Sequence, residues 1–120
     1  MLNTVNLERA FSSIDGHWSP RIGAEISGVA VKLVRISGEF VWHHHDDEDE
    51  LFMVLKGRFR MDFRDRQVWL EEGEVLVVPR GVEHRPVAER EVHILLFEPA
   101  STLNTGNVEN ERTVRQLARI

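Results

Sequence analysis

The sequence predicts an all-β protein, a barrel or sandwich of short strands with a short helix before it and an extended or helical tail after it. Two observations carry this expectation. Apolar residues recur with period two or in short unbroken runs, as in Phe59, Met61 and Phe63 set against Arg58, Arg60, Asp62 and Arg64. Glycine and proline then interrupt these segments at close intervals, at Gly38, Gly57, Gly73, Pro79, Gly81 and Pro99.

In chain order, residues 6–11 suit a short helix and residues 16–20 (GHWSP) a turn, Pro20 holding Ser19 extended. Residues 25–36 read as one strand, with Val29, Val31 and Leu33 on one face and Ala30, Lys32 and Val34 on the other, closed by Ser37-Gly38. Residues 40–45 alternate again, Phe40 and Trp42 facing one way and Val41, His43 and His45 the other. Residues 51–55 and 58–64 are strands, Asp65-Arg66 falls where a hairpin turn belongs, and residues 68–70 return. A buried-type run at 75–78 and a strong strand at 92–97 complete the set. The expected division is an N-terminal segment (1–25) packed on a β-barrel domain (26–99), with a tail (100–120) whose last ten residues suit a short helix or an added strand.

A chain of 120 residues fits one domain. Hydrophobic residues at 42% and charged residues at 29% match an ordinary globular protein, and no apolar run approaches the roughly 18 residues of a spanning helix. The start carries Glu8 and Arg9 where a secretory leader has an uninterrupted apolar stretch, so a cytoplasmic location is expected. A net charge of −5 speaks against nucleic acid as a partner, and the arginines at 58, 60, 64 and 66 are interleaved with Asp62 and Asp65 as on a solvated strand face. Cysteine is absent, so a metal here has only nitrogen and oxygen ligands available.

Chemistry concentrates in two stretches, GEFVWHHHDDEDELFMVLKG (38–57) and GEVLVVPRGVEH (73–84). In an extended backbone His43 and His45 share a face and His44 points away, so two imidazoles are placed to chelate one cation. A bend through residues 46–49 brings the Glu50 carboxylate back toward them, and His84 supplies a fourth donor from the second stretch. Three imidazoles and a carboxylate suit a divalent first-row metal, Zn, Ni, Mn, Fe, Co or Cu, rather than calcium. Asp46, Asp47, Glu48 and Asp49 read as loop charges.

The pattern His43-x-His45-x4-Glu50-x6-Gly57, followed by Gly73-x5-Pro79-x-Gly81-x2-His84, resembles the two signature motifs of the cupins, the second matched residue for residue through its histidine. The resemblance, which is greatest to small single-domain bacterial cupins, implies a double-stranded β-helix, or jelly-roll, barrel. It implies His43, His45, Glu50 and His84 as metal ligands, with Gly57, Gly81 and Pro79 as turn residues. Gly38 stands one residue nearer His43 than in the commoner form, and Ala88 replaces the asparagine that often closes the second motif.

Four ligands on an ion that accepts five or six leave positions for a small molecule. One expectation is Lewis-acid, isomerase-type chemistry on a hydroxy-carbonyl or sugar-like metabolite, which also needs a general base that the sequence does not identify. The alternatives are an Fe(II)-dependent dioxygenase and a non-catalytic module that binds a small molecule or metal. His17 and His93 read as structural, with cavity lining the alternative for His93 from its alternation with Leu95 and Phe97, and Arg80 reads as a surface residue. Phe40, Trp42 and Trp18 carry enough apolar area for an interface, so a homodimer is expected, unless the N-terminal segment covers them.

Overall fold

The computed structural model describes residues 2–120. Among them are one helix, α1 (Leu7–Ser12), and seven strands: β1 (Arg21–Ile26), β2 (Val29–Glu39), β3 (Glu50–Lys56), β4 (Phe59–Phe63), β5 (Gln67–Leu70), β6 (Val75–Val78) and β7 (His84–Pro99). Every strand pair is antiparallel. The hydrogen-bonded order is β1-β2-β7-β3-β6, with β4 joined to β7 and β5 beyond it.

β7 is the spine of the barrel. Its sixteen residues pair with β2 along both halves, with β3 through His93 to Phe97, and with β4 through His84 to Val87. Inward positions of the strands alternate with outward ones, as the pleat requires, and fill the interior with Val34, Ile36, Phe52, Val54, Phe59, Met61, Ile94 and Leu96. A second cluster lies outside the sheet. Ala10 and Phe11 of α1, with Ile14, bury Leu33 of β2 and pack against Leu55 and Leu95. Asn6 caps the helix, its side chain accepting from Arg9 N at 2.9 Å.

Three sequence expectations change. The single strand over 25–36 is two strands joined by a tight turn at Ser27 and Gly28, both at positive φ (49° and 78°), a two-residue geometry that matches the twist of a hairpin. Residues 40–45 are not a regular strand: only His43 forms a bridge, to His84, and Phe40 turns into the core beside Trp18. The last strand begins at His84 rather than near Val92, because the charged positions of 85–91 face outward and mask the alternation of buried Pro86, Ala88 and Val92.

Residues 100–120 form turns rather than a helix. The tail ends as one added parallel bridge, Ile22 with Arg119, flanked by hydrogen bonds of Ile22 N to Ala118 O and Ile120 N to Ile22 O, both 2.9 Å.

Candidate metal centre

The four sequence-predicted ligands arrive from three local structures. His43 and His45 lie on the irregular segment after β2, Glu50 opens β3, and His84 opens β7. Reciprocal backbone hydrogen bonds, His43 N to His84 O at 3.1 Å and His84 N to His43 O at 2.9 Å, fasten the two motifs side by side. Gly81 N donates to His45 O at 2.7 Å and ties the second motif's turn to the first. All four side chains are buried, and one donor atom from each lies within 4.8 Å of the others.

The ring nitrogens are already sorted. His43 Nδ1 donates to Val41 O and His84 Nδ1 to Val82 O, each at 2.9 Å, which leaves Nε2 of each ring as the available ligand atom. Burial lowers the His43 pKa to about 4, assisted by the charge of His84, so the ring is neutral at physiological pH. His45 Nε2 stands 2.9 Å and His84 Nε2 3.2 Å from Glu50 Oε1, yet these approaches lack hydrogen-bond alignment. The three atoms are buried without a hydrogen-bond partner. Buried polar atoms are nearly always satisfied, and each one left bare costs about 1–3 kcal/mol. Three that converge on one point are the arrangement a cation resolves, so this donor set fits a metal ion.

Glu50 is held as the anion. Burial alone raises its pKa, but contacts with Glu98, His45 and His84 outweigh it and hold the carboxyl well below the usual range. Glu98 moves the other way, pushed well above that range by burial and by the neighbouring Glu50. The sequence reading did not single out Glu98 or Lys32, whose Nζ lies 2.9 Å from Glu98 Oε1 with both residues buried. A signal for both was present, since each occupies the apolar parity of its strand, Lys32 between Ala30 and Val34 and Glu98 after Ile94 and Leu96.

Beside the site is a cavity of about 40 Å³, walled by Trp18, Val34, Ile36, Phe40, Phe52 and Leu96, with His43 and Glu50 also in its lining. Phe40 stacks on Trp18 at 4.7 Å and meets His43 edge-on at 5.3 Å, so it braces a ligand and walls the cavity at once. That placement removes Phe40 and Trp18 from any interface. Trp42 is also covered, by the guanidinium groups of Arg64 at 3.8 Å and Arg85 at 5.0 Å.

The remaining histidines lie apart from the centre. His44 pairs with Asp46 at 2.9 Å, and His17 with Glu91 at 2.7 Å. His93 does not line the cavity, because its ring stacks on Phe11 at 4.4 Å on the outer side of the sheet. Arg80 is exposed, beside Asp49.

Residues 33–98 match the cupin domain family. The chain is a cupin. A crystal structure of a cupin-2 domain containing protein from Shewanella frigidimarina superposes with a TM-score of 0.79 at 46% identity, covering 80% of this chain and 94% of that one. Protein NMB1881 from Neisseria meningitidis superposes at 0.75 with 32% identity, covering 82% and 100%. The uncharacterized protein YdbB of Bacillus subtilis (strain 168) is 41% identical over 63 residues, 52% of this chain and 56% of that protein. The match thus spans less than two thirds of that curated relative's length. Fold and family are those the two motifs implied, a jelly-roll cupin barrel carrying a His-His-Glu-His group able to hold a metal.

Proposed function

We propose that His43, His45, Glu50 and His84 bind one divalent transition metal, and that the protein is a metal-dependent enzyme acting on a small molecule. The observation that carries this reading is the convergence of His45 Nε2, His84 Nε2 and Glu50 Oε1, all buried and unpartnered. A bound metal supplies Lewis acidity and, if redox-active, a site for dioxygen. The chain does the rest. Val41 and Val82 carbonyls fix two imidazoles in the ligating tautomer, and the hydrocarbon wall keeps bulk water from the donor set.

The wall bears on the choice between the two enzymatic readings. A sugar-like substrate needs a hydrogen-bond partner for each buried hydroxyl, at about 1–3 kcal/mol for each one missed. Apart from Asn104, the polar groups lining the cavity are His43 and Glu50, which are also its only titratable groups. Asn104 is itself engaged with Val114 N and Arg112 O. Isomerisation wants a free general base there. The lining favours a substrate with one or two metal-binding oxygens on an apolar body, and hence the oxidative, Fe(II)-dependent reading over the isomerase-type one.

Elemental analysis of purified wild type and His84→Ala tests the site. Near-stoichiometric metal in the wild type and at least a tenfold loss in the variant are expected; equal traces in both exclude the site. Oxygen uptake by iron-loaded protein with small phenolic or enolic compounds supports the oxidative reading, whereas metal retention without turnover of any kind indicates a binding module.

We also place the protein in the cytoplasm as a homodimer, with residues 26–99 as the domain and 1–25 and 100–120 as its flanks. No helix among the described residues is long and apolar enough to cross a membrane. With Phe40 and Trp42 covered, support for the dimer moves to the outer sheet face, where Val75, Val77 and Phe97 are exposed.

A further inference from the structure

Behind the ligand Glu50 lies a hydrogen-bonded polar pair that the barrel had no packing reason to bury. Lys32 and Glu98 are 1% and 2% exposed, and their Nζ–Oε1 distance is 2.9 Å. Taking two such polar groups out of water is costly, and an apolar pair of similar volume would serve the core as well or better. The register explains their position. Lys32 of β2 lies opposite Leu96 of β7, Ala30 lies opposite Glu98, and Leu51 of β3 lies opposite Phe97. One step beyond Leu51, Glu50 therefore stands beside Glu98. Lys32, Glu98 and Glu50 form an inward-facing row across three adjacent strands, with the histidines beyond the last of them.

We propose that Lys32 and Glu98 are positioning residues for the metal centre, a supporting layer that orients Glu50 as a ligand. This inference rests on the metal-binding reading above. Lys32 has two fixed acceptors, Glu98 Oε1 and the Thr102 carbonyl at 3.0 Å, so its ammonium is immobile and Glu98 is held in turn. Glu98 Oε2 and Glu50 Oε1 are both buried without a hydrogen-bond partner, so each carboxyl keeps one oxygen uncommitted. Groups behind metal ligands commonly alter affinity ten- to a hundredfold by fixing ligand orientation. Lys32 also joins the centre to the tail, through Thr102.

Cobalt(II) titration of the full chain tests this, with visible absorption reporting ligand geometry and thermal melting reporting fold. The double variant Lys32→Met/Glu98→Leu is expected to fold, to bind cobalt ten- to a hundredfold more weakly, and to show a shifted absorption band. A folded double variant with wild-type affinity and spectrum overturns the proposal and leaves the pair as core packing. If the double variant does not fold, the near-isosteric Glu98→Gln decides: about tenfold weaker binding with an altered band supports the role, and wild-type values overturn it. The parent reading fails separately, when wild type binds no cobalt or His84→Ala binds it equally well.

Discussion

Glu91 sits where three parts of the chain meet. It takes a bidentate contact from Arg35 of β2 at 3.0 Å, pairs with His17 of the N-terminal segment at 2.7 Å, and lies 3.5 Å from His93. Hydrogen bonds from Arg35, then His17, lower its pKa from 4.5 to about 2. A carboxyl with a depressed folded-state pKa stabilises above its unfolded value, and that stabilisation is lost as pH falls through the folded one. Glu91→Gln is therefore expected to lower the melting temperature above about pH 5, with the gap to wild type closing toward pH 2. The group is more than a third exposed, so the effect is on the order of 1 kcal/mol. A gap that persists unchanged at low pH would assign the effect to packing.

Among the elements, the tail has the most to do with the site. Asn107 N donates to His44 O at 3.0 Å, and His44 N donates to Asn107 Oδ1 at 2.8 Å, a two-way clasp on the residue between the candidate ligands His43 and His45. Gly106 makes the clasp possible. A Cβ at that position would collide with the His44 carbonyl and lie 3.2 Å from His43 Cδ2, and φ is +56°, a conformation β-branched residues avoid. Gly106→Val is expected to cost about 1–3 kcal/mol in urea unfolding and to speed proteolysis of the tail. Stability within about 0.5 kcal/mol of wild type would show that the clasp is dispensable.

Across the whole molecule, the outer face of the main sheet is covered over only part of its extent. The α1 cluster covers the side near Leu33 and Leu95, while the row Val77, Leu51, Phe97 and Val31 crosses β6, β3, β7 and β2 beyond it, with Val75 and Met53 alongside. Val75, Val77 and Phe97 are 57%, 52% and 39% exposed, a contiguous apolar surface that a second copy would cover. Light scattering is expected to give about twice the 13.9 kDa chain mass for wild type and the single mass for Val77→Asp/Phe97→Asp. A monomeric wild type removes the dimer.

The four candidate ligands were legible in the sequence because their spacing is local. His43 and His45 share a parity, Glu50 is placed by its distance to Gly57, and the second motif leads straight to His84. Strand periodicity likewise exposed the barrel wherever polar residues alternated with apolar ones, and it failed where charged residues crowd one face, over 85–91, or where a two-residue turn hides inside one pattern, at Ser27 and Gly28. What the sequence alone determined is the architecture and the candidate donor set, through period-two alternation, turn chemistry and the spacing of the two motifs. Only the tertiary structure decided what surrounds the donors: Phe40 as a cavity wall, Lys32 and Glu98 behind Glu50, and Gly106 against His44. Lys32 and Glu98 are 66 residues apart, and Gly106 lies 62 beyond His44, so these contacts exist only once β7 has been laid between β2 and β3 and the tail has folded back across the barrel.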